Sequence, residues 1–182
     1  MKKKILFSLL IISLLIITGC GKQSGKINGK EIALDKQYKD RYITYKYPSL
    51  FKEKEEESIY AYPLQKKMEY EYYENDKLTF ILKVEELDAG ISFLPMNEDK
   101  EKLDEDKTIK NLKQETVKSN GKNLVKFTFN KDDEFGTDTT YHLYYGGYSY
   151  AGINEFFKVY FINTEGNEDF EKAFISSFKI NK

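Results

Sequence analysis

The sequence predicts an α+β domain in which a few helices cover an antiparallel β-sheet. Three observations support this fold class. Segments of alternating polar and apolar residues recur along the chain, a pattern typical of strands with one buried face. The pair Asn120-Gly121 separates two such segments and favours a tight hairpin turn. The chain closes with apolar residues at helical spacing, which predicts a helix packed against the sheet.

The first 19 residues differ in character from the rest of the chain. Lys2 to Lys4 precede an almost unbroken apolar run of about 13 residues, from Ile5 to Ile17. A positive start followed by a short apolar core is the layout of a secretory signal. A membrane-spanning helix needs roughly 20 apolar residues, which is more than this run offers. We therefore predict that residues 1–19 are an export signal.

The junction Ile17-Thr18-Gly19-Cys20 resembles the lipobox of bacterial lipoprotein precursors, with Ile where Leu is usual. Cys20 is the only cysteine in the chain, so an intramolecular disulfide is impossible, and an intermolecular disulfide or a free thiol is the alternative. The resemblance implies cleavage before Cys20, a diacylglyceryl group on its sulfur and commonly an acyl group, such as palmitate, on the new N-terminus. Two acyl chains suffice for stable anchoring. The expected location is the extracytoplasmic face of the cell membrane.

Residues 20–38 are predicted to be a lipidated N-terminus and a flexible tether. The segment is polar, contains Gly21, Gly25 and Gly29, and has no strong periodicity. A short strand near Ile32 to Leu34 is the alternative. The folded domain is then expected at residues 39–182, a length that supports one hydrophobic core.

Alternating patterns predict four strands in the first part of this domain, at 41–47, 59–62, 66–73 and 78–85. Pro48 ends the first of them, and a turn that leads into a short helix is expected there. The charged run 52–57 is interpreted as a solvated loop. Residues 97–106 predict an exposed helix, with Asn97 as a possible cap.

The second part of the domain begins with the Asn120-Gly121 hairpin. Its strands are predicted at 108–118 and 122–130, and further strands at 137–145 and 155–162. A polar loop is expected at 131–136 and a turn at Gly146-Gly147. The closing helix is predicted from Asn167, as N-cap, and from an apolar stripe formed by Phe170, Ala173, Phe174, Ser177 and Phe178.

This order of elements resembles the PsbP-like fold over about residues 40–181. The likeness rests on Tyr47-Pro48 followed by Leu50-Phe51, on the helix before the Asn120-Gly121 hairpin, and on the ending at 174–180. The resemblance implies an α/β/α sandwich and a role in binding or assembly rather than catalysis. It implies no functional residues.

The residues give little support for catalytic chemistry. His142 is the only histidine, and the sequence contains no nucleophile elbow and no phosphate-binding Gly-rich loop. Zinc requires several Cys or His ligands. We therefore interpret His142 as a structural residue of a Tyr-rich strand, and we predict no enzyme, no catalytic residue, no metal site and no cofactor. The acidic loop Asp132-Asp138 leaves calcium binding open, because calcium takes oxygen ligands.

Five tyrosines between Tyr141 and Tyr150 form the most unusual stretch of the domain. Alternation places Tyr141, Leu143 and Tyr145 on one face of the strand, and His142 and Tyr144 on the other. Tyrosine is enriched at recognition surfaces. The predicted exposed binding surface is therefore Tyr144, Tyr148 and Tyr150, and the alternative is an ordinary Tyr-rich sheet.

Two functions are compatible with these observations. The leading hypothesis is a membrane-anchored envelope lipoprotein that acts as a non-enzymatic binding or accessory module for another protein. The alternative is a binder of a small ligand, lipid, cation or cell-wall fragment through a Tyr/Phe-lined surface. Loss of residues 1–19 removes three lysines, which leaves 26 basic against 30 acidic residues and takes the formal net charge from −1 to −4. Nucleic acid is therefore not an expected partner.

Replacement of Cys20 by Ala is expected to remove lipid from the protein and to release it from membranes, because no other cysteine can carry the diacylglyceryl group. Metabolic labelling with a fatty acid, followed by fractionation of salt-washed membranes, measures both effects. A Cys20→Ala protein that stays on the membrane, together with an unlabelled wild type, contradicts the prediction.

Overall fold

The structure, a computed structural model, describes residues 23–40, 43–57, 64–88, 94–150 and 153–181. The strands in these ranges are β1 (Ser24–Ile27), β2 (Lys30–Ala33), β3 (Lys36–Lys39), β4 (Ile43–Tyr47), β5 (Lys52–Glu57), β6 (Leu64–Glu74), β7 (Lys77–Asp88), β8 (Lys110–Ser119), β9 (Lys122–Asp133), β10 (Gly136–Tyr150), β11 (Ile153–Ile162) and β12 (Lys179–Ile180). The helices are α1 (Leu94–Glu105) and α2 (Glu168–Ser177). Neither helix is long and apolar enough to cross a bilayer.

A seven-stranded antiparallel sheet dominates the architecture, with strand order β5-β6-β7-β11-β10-β9-β8. Two smaller sheets accompany it, the β1-β2 hairpin and a three-stranded sheet of order β12-β4-β3. The predicted α+β fold with an α/β/α sandwich is therefore wrong, because the chain is mostly β. Its helices of 12 and 10 residues are too short to cover both faces of so wide a sheet.

Two segments that were predicted to interrupt the sheet are strands instead. The charged run 52–57 is the edge strand β5, and its Lys54 forms ion pairs with Glu69 and Glu71 on the neighbouring strand β6. Charged side chains suit an edge strand because they discourage pairing with another chain. The predicted turn at Gly146-Gly147 is also wrong, since β10 continues through it to Tyr150.

Gly146 makes room for an aromatic ring rather than for a turn. It pairs with Phe157 across β10 and β11, and a Cβ atom at position 146 would overlap the Phe157 ring. The glycine therefore marks a close approach within the sheet. Periodicity along β10 cannot reveal this role, because the crowding comes from another strand.

The predicted flexible tether at residues 20–38 is wrong for the residues that the structure describes. Strands β1, β2 and β3 occupy most of the segment from 24 to 39, and the side chains of Ile27, Ile32 and Leu34 are buried in the main core. Each of these strands has only four residues, which is too few positions to show a clear period. The folded domain therefore begins near residue 23 and not at residue 39.

Helix α2 is confirmed as the closing helix, and it packs its apolar stripe on one face of the large sheet. Phe170 and Phe174 are fully buried there. Asn167 stands at the N-cap position but makes no side-chain cap bond. Its Oδ1 atom accepts a hydrogen bond of 2.9 Å from the backbone N–H of Asn28, so it holds the β1-β2 turn instead.

The Asn120-Gly121 hairpin is confirmed as the connection between β8 and β9. Asn120 and Gly121 both have positive φ angles, 49° and 75°. The same turn satisfies carbonyl groups at the end of α2, which lack partners within the helix. Ser119 Oγ donates to the carbonyl of Ile175 at 2.7 Å, and Asn120 Nδ2 donates to that of Ser176 at 3.1 Å.

Both faces of the large sheet carry a hydrophobic cluster. The main cluster lies on the face covered by α2 and the small sheets. A smaller one lies on the opposite face, near α1, where Phe127, Phe129, Leu143 and Tyr145 are its buried members. The interior strand β10 therefore sends alternate side chains into two different apolar layers.

Gly25 provides a test of whether residues 23–33 belong to the fold. A Cβ atom at this position would overlap the backbone of Phe170 in α2. We expect Gly25→Ala to lower the free energy of unfolding by about 1–3 kcal/mol, the usual cost of overpacking. Urea unfolding of the mature chain measures the change.

Lys26→Ala is the matched control, since Lys26 is the exposed neighbour of Gly25 in β1. Its expected effect is below about 0.5 kcal/mol. Equal stability of the two variants contradicts the assignment of β1 to the folded domain.

Candidate functional site

The predicted exposed surface of Tyr144, Tyr148 and Tyr150 is wrong at Tyr144. Its side chain is buried and belongs to the cluster under α2. The predicted alternation along β10 is confirmed, but both faces of the strand are covered, so neither set is exposed. Tyr148 and Tyr150 lie in β10, although their side chains fall outside the described part of the structure, as does Cys20.

Tyr144 instead belongs to a buried polar cluster around the carboxylate of Glu171 on α2. The Oε1 atom of Glu171 accepts hydrogen bonds from the Tyr144 hydroxyl and, at 3.0 Å, from Lys126 Nζ on β9. The N–H of His142 Nδ1 donates to Oε2. Three donors from two adjacent strands therefore converge on one helix side chain.

The electrostatics of this cluster favour the ionised carboxylate. Burial alone would raise the pKa of Glu171, but the hydrogen bonds from His142 and Tyr144 and the charge of Lys126 outweigh it, so the pKa lies below its ordinary value. Burial also raises the pKa of Tyr144, and the neighbouring negative charge raises it further, so its hydroxyl stays protonated and acts as a donor.

The Glu171 cluster is built as a structural anchor. Glu171, His142 and Tyr144 are buried, Lys126 is half-buried, and no buried side-chain N or O atom in the described residues lacks a partner. A reacting molecule would have to displace α2 to reach the carboxylate. The sequence does carry a signal for this cluster, because Glu171 stands in the apolar stripe, three residues before Phe174 and seven before Phe178.

A second, accessible site lies between α1 and the opposite face of the sheet. It is a cleft of about 460 Å³. Its floor is apolar and aromatic, with Phe129, Tyr141, Leu143, Tyr160 and Ile162. Leu103 and Ile109 line it from α1 and the loop that follows. Its charged lining residues are Lys67, Lys83, Glu85, Asp99, Lys102, Asp106 and Lys131.

The aromatic floor of the cleft is held in place by defined contacts. The ring of Tyr141 stacks on that of Phe129, with centroids 5.0 Å apart and planes 10° from parallel. The hydroxyl of Tyr141 donates to the carboxylate of Asp133. Burial raises the pKa of Tyr160, and the charges of Glu85 and Asp99 raise it further. The floor is therefore neutral and rigid at physiological pH.

Asp99 attaches α1 to the sheet and so defines one wall of the cleft. It accepts a hydrogen bond from the Tyr145 hydroxyl and pairs with Lys158 Nζ at 2.5 Å. Lys131 pairs with Asp106 at 2.9 Å near the end of the helix. In the sequence Asp99 was one of several acids in the predicted helix 97–106, and nothing local distinguished it from its neighbours.

Three acids of the loop Asp132-Asp138 have partners within the protein. Lys110 Nζ lies 2.7 Å from Asp138 and 3.5 Å from Asp132. Asp133 accepts hydrogen bonds from the backbone N–H of Phe135 at 2.8 Å and from Thr139 Oγ1 at 2.6 Å. Within the described residues no group of three or more His, Cys, Asp or Glu side chains is arranged to hold a metal ion.

Comparison with known proteins gives a likeness of fold alone. No family model matches the chain, and no curated protein matches it. A crystal structure of a protein from Bacteroides thetaiotaomicron is similar, with a TM-score of 0.50 and 16% sequence identity. The alignment covers 82% of this chain and 49% of that one, so this chain spans about half the length of that protein.

Replacement of Glu171 by Gln tests the structural role of the Glu171 cluster through the pH dependence of protein stability. Because folding lowers the pKa of Glu171, its stabilisation is present above the ordinary value of 4.5 and is lost as the pH falls through the folded pKa. We expect Glu171→Gln to lower the free energy of unfolding by about 1–3 kcal/mol at pH 7. The variant should also lose less stability than the wild type between about pH 5 and pH 3.

Denaturant unfolding at a series of pH values measures both effects. Glu168→Gln is the control, since Glu168 is an exposed residue in the first turn of the same helix. Parallel pH profiles for wild type and Glu171→Gln contradict the role assigned to this carboxylate.

Proposed function

We propose that the chain is an exported lipoprotein, anchored through lipid on Cys20, whose folded domain is a non-enzymatic binding module at the cell envelope. The observation that carries this proposal is the cleft under α1. It combines an aromatic floor with a charged rim, and its volume of about 460 Å³ falls in the range of ligand sites.

The other notable polar site, the Glu171 cluster, supports a binding module rather than an enzyme. Its carboxylate is already saturated by Tyr144, Lys126 and His142. The cleft, by contrast, offers aromatic surface that a ligand can reach, because Tyr141 and Tyr160 are only partly buried. Aromatic side chains contribute much of the energy at recognition sites.

Two ligand classes fit a cleft of this kind. One is a segment of a partner protein that inserts an apolar or aromatic side chain between Leu103 and the floor. The other is a small amphipathic molecule, such as a lipid or a cell-wall fragment, with its apolar part on Tyr141 and Tyr160. The cleft is open to solvent along one side, and the mixed charges of its rim suit either class.

Replacement of Ile109 by Trp is expected to abolish binding, because Ile109 is a half-buried residue of the cleft lining and the larger side chain takes up part of the cleft volume. Binding of a protein is measured by cross-linking in intact cells followed by pull-down from detergent-solubilised membranes. Binding of a small molecule is measured by thermal shift of the purified protein with lipids, cell-wall fragments and calcium.

Leu50→Trp is the matched control, since Leu50 is 53% exposed and lies outside the cleft. A partner or a thermal shift that Leu50→Trp retains and Ile109→Trp loses supports the proposal. Equal binding by both variants, or no partner and no shift with wild type, contradicts it.

A further inference from the structure

The chain enters the folded domain beside the C-terminal half of α2. The side-chain amide of Gln23 donates to the carbonyl of Ala173 at 2.6 Å, and the backbone N–H of Leu34 donates to the carbonyl of Gln23 at 2.8 Å. Gln23 is therefore fixed to the domain by contacts with two separate elements. Only Gly21 and Lys22 lie between it and Cys20.

This short connection limits how far the domain can lie from an anchor. Three peptide steps join Cys20 to Gln23, and a fully extended chain of that length spans about 11 Å. A 19-residue tether would have allowed any face of the domain to point at the membrane. A connection of this length restricts the membrane-facing side to the surroundings of Gln23.

The surroundings of Gln23 include the β8-β9 turn. Gln23 bonds to the carbonyl of Ala173, and Asn120 bonds to those of Ser176 and Phe178. Because an α-helix rises 1.5 Å per residue, Ala173 and Ser176 are about 5 Å apart along the helix axis. The point where the chain enters, the last turn of α2 and the β8-β9 turn therefore form one end of the domain.

This end of the domain is basic, although the predicted mature chain is acidic. Lys118, Lys122, Lys172 and Lys179 are exposed here, and none of them forms an ion pair with another residue that the structure describes. No Asp or Glu occurs at 116–131 or at 172–181. We call these four lysines the basic end. Glu31 and Asp169 line an adjacent groove beside Ser24 and Lys172.

A shallow apolar recess lies within the basic end. Its volume is about 400 Å³. Leu124, Phe157 and Phe178 form its apolar lining, and Lys122 and Lys179 are its charged residues. Apolar surface flanked by lysines suits the boundary between lipid headgroups and acyl chains, where long basic side chains keep their charge in the headgroup layer.

We propose that the basic end seats on the anionic bilayer to which the chain is anchored. The inference rests on the lipid attachment at Cys20 proposed above. Lipid phosphates attract each lysine that lies within a Debye length of the surface. This contact between the basic end and the bilayer orients the domain with the last turn of α2 toward the membrane. It leaves the cleft under α1, on the opposite face of the sheet, accessible to a ligand.

Lysine footprinting of the full lipidated protein tests whether the basic end contacts the bilayer. The protein is reconstituted in vesicles of phosphatidylcholine with or without phosphatidylglycerol, treated with an amine-acylating reagent, and compared with protein in detergent. In anionic vesicles we expect Lys118, Lys122, Lys172 and Lys179 to react several-fold more slowly than in detergent. Lys77 and Lys100 should react at unchanged rates, since Lys77 lies near Asn28 and Asn163, at the other end of α2.

A matched pair of variants tests whether the lysines are protected by electrostatic attraction to the bilayer or only by their closeness to the lipid attachment. In K118E/K122E/K179E, Lys172 is expected to lose its protection, because each lysine near the surface is worth about a fivefold change in partitioning. In K77E/K100E/K107E, which changes the net charge equally, Lys172 should keep its protection. Thermal unfolding of both variants confirms that they are folded.

The outcomes distinguish this inference from the proposed function. Lipid on Cys20 is first verified by mass. If the lysines of the basic end then react as fast as Lys77 in anionic vesicles, the proposed contact with the bilayer is wrong, although the lipid attachment is not. If the four lysines are equally protected in neutral and anionic vesicles, the contact with the bilayer is not electrostatic and the proposal is wrong. Absence of lipid on Cys20 overturns the proposed function itself.

Discussion

The buried carboxylate of Glu171 is the interaction on which the arrangement of the domain depends. It joins α2 to β9 and β10 through Lys126, His142 and Tyr144. A buried charge of this kind is tolerated only when its partners are all present, since each lost partner leaves a costly unsatisfied group. Helix α2 in turn holds the N-terminal hairpin through Gly25, which packs directly on the backbone of Phe170.

This constraint also decides where function can lie. Because α2 is fastened over one face of the sheet, the polar groups beneath it serve the fold and are not available to a ligand. In the described part of the chain α1 is the helix on the opposite face, and Asp99 links it to Tyr145 and Lys158. A single short helix leaves part of the sheet uncovered, and the aromatic cleft is the result. The aromatic cleft therefore lies on the face of the sheet opposite to α2.

The folding of the N-terminal segment changes how anchoring is understood. With β1 beginning at Ser24, only three residues separate Cys20 from the first strand, so the proposed lipid anchor would lie close to one end of the domain. Tertiary structure also segregates charge that looks evenly mixed in the sequence. Lysines from the β8-β9 turn, from α2 and from the residues after it gather where the chain enters, while Asp132 and Asp138 pair with Lys110 elsewhere. A net charge alone could not reveal this separation.

Local patterns in the sequence determined the Asn120-Gly121 hairpin, the amphipathic helix α2 and the two faces of β10, because turn propensity and periodicity act within a few residues. They also suggested the export signal and Cys20 as a lipid site. Only the tertiary structure decided that β5 is an edge strand, that residues 24–39 are folded, and that Gly146 makes room for Phe157. The Glu171 cluster, too, joins residues 27 to 45 positions apart in the chain. Such contacts depend on how distant segments pack, and packing between segments leaves no period in the sequence of either one.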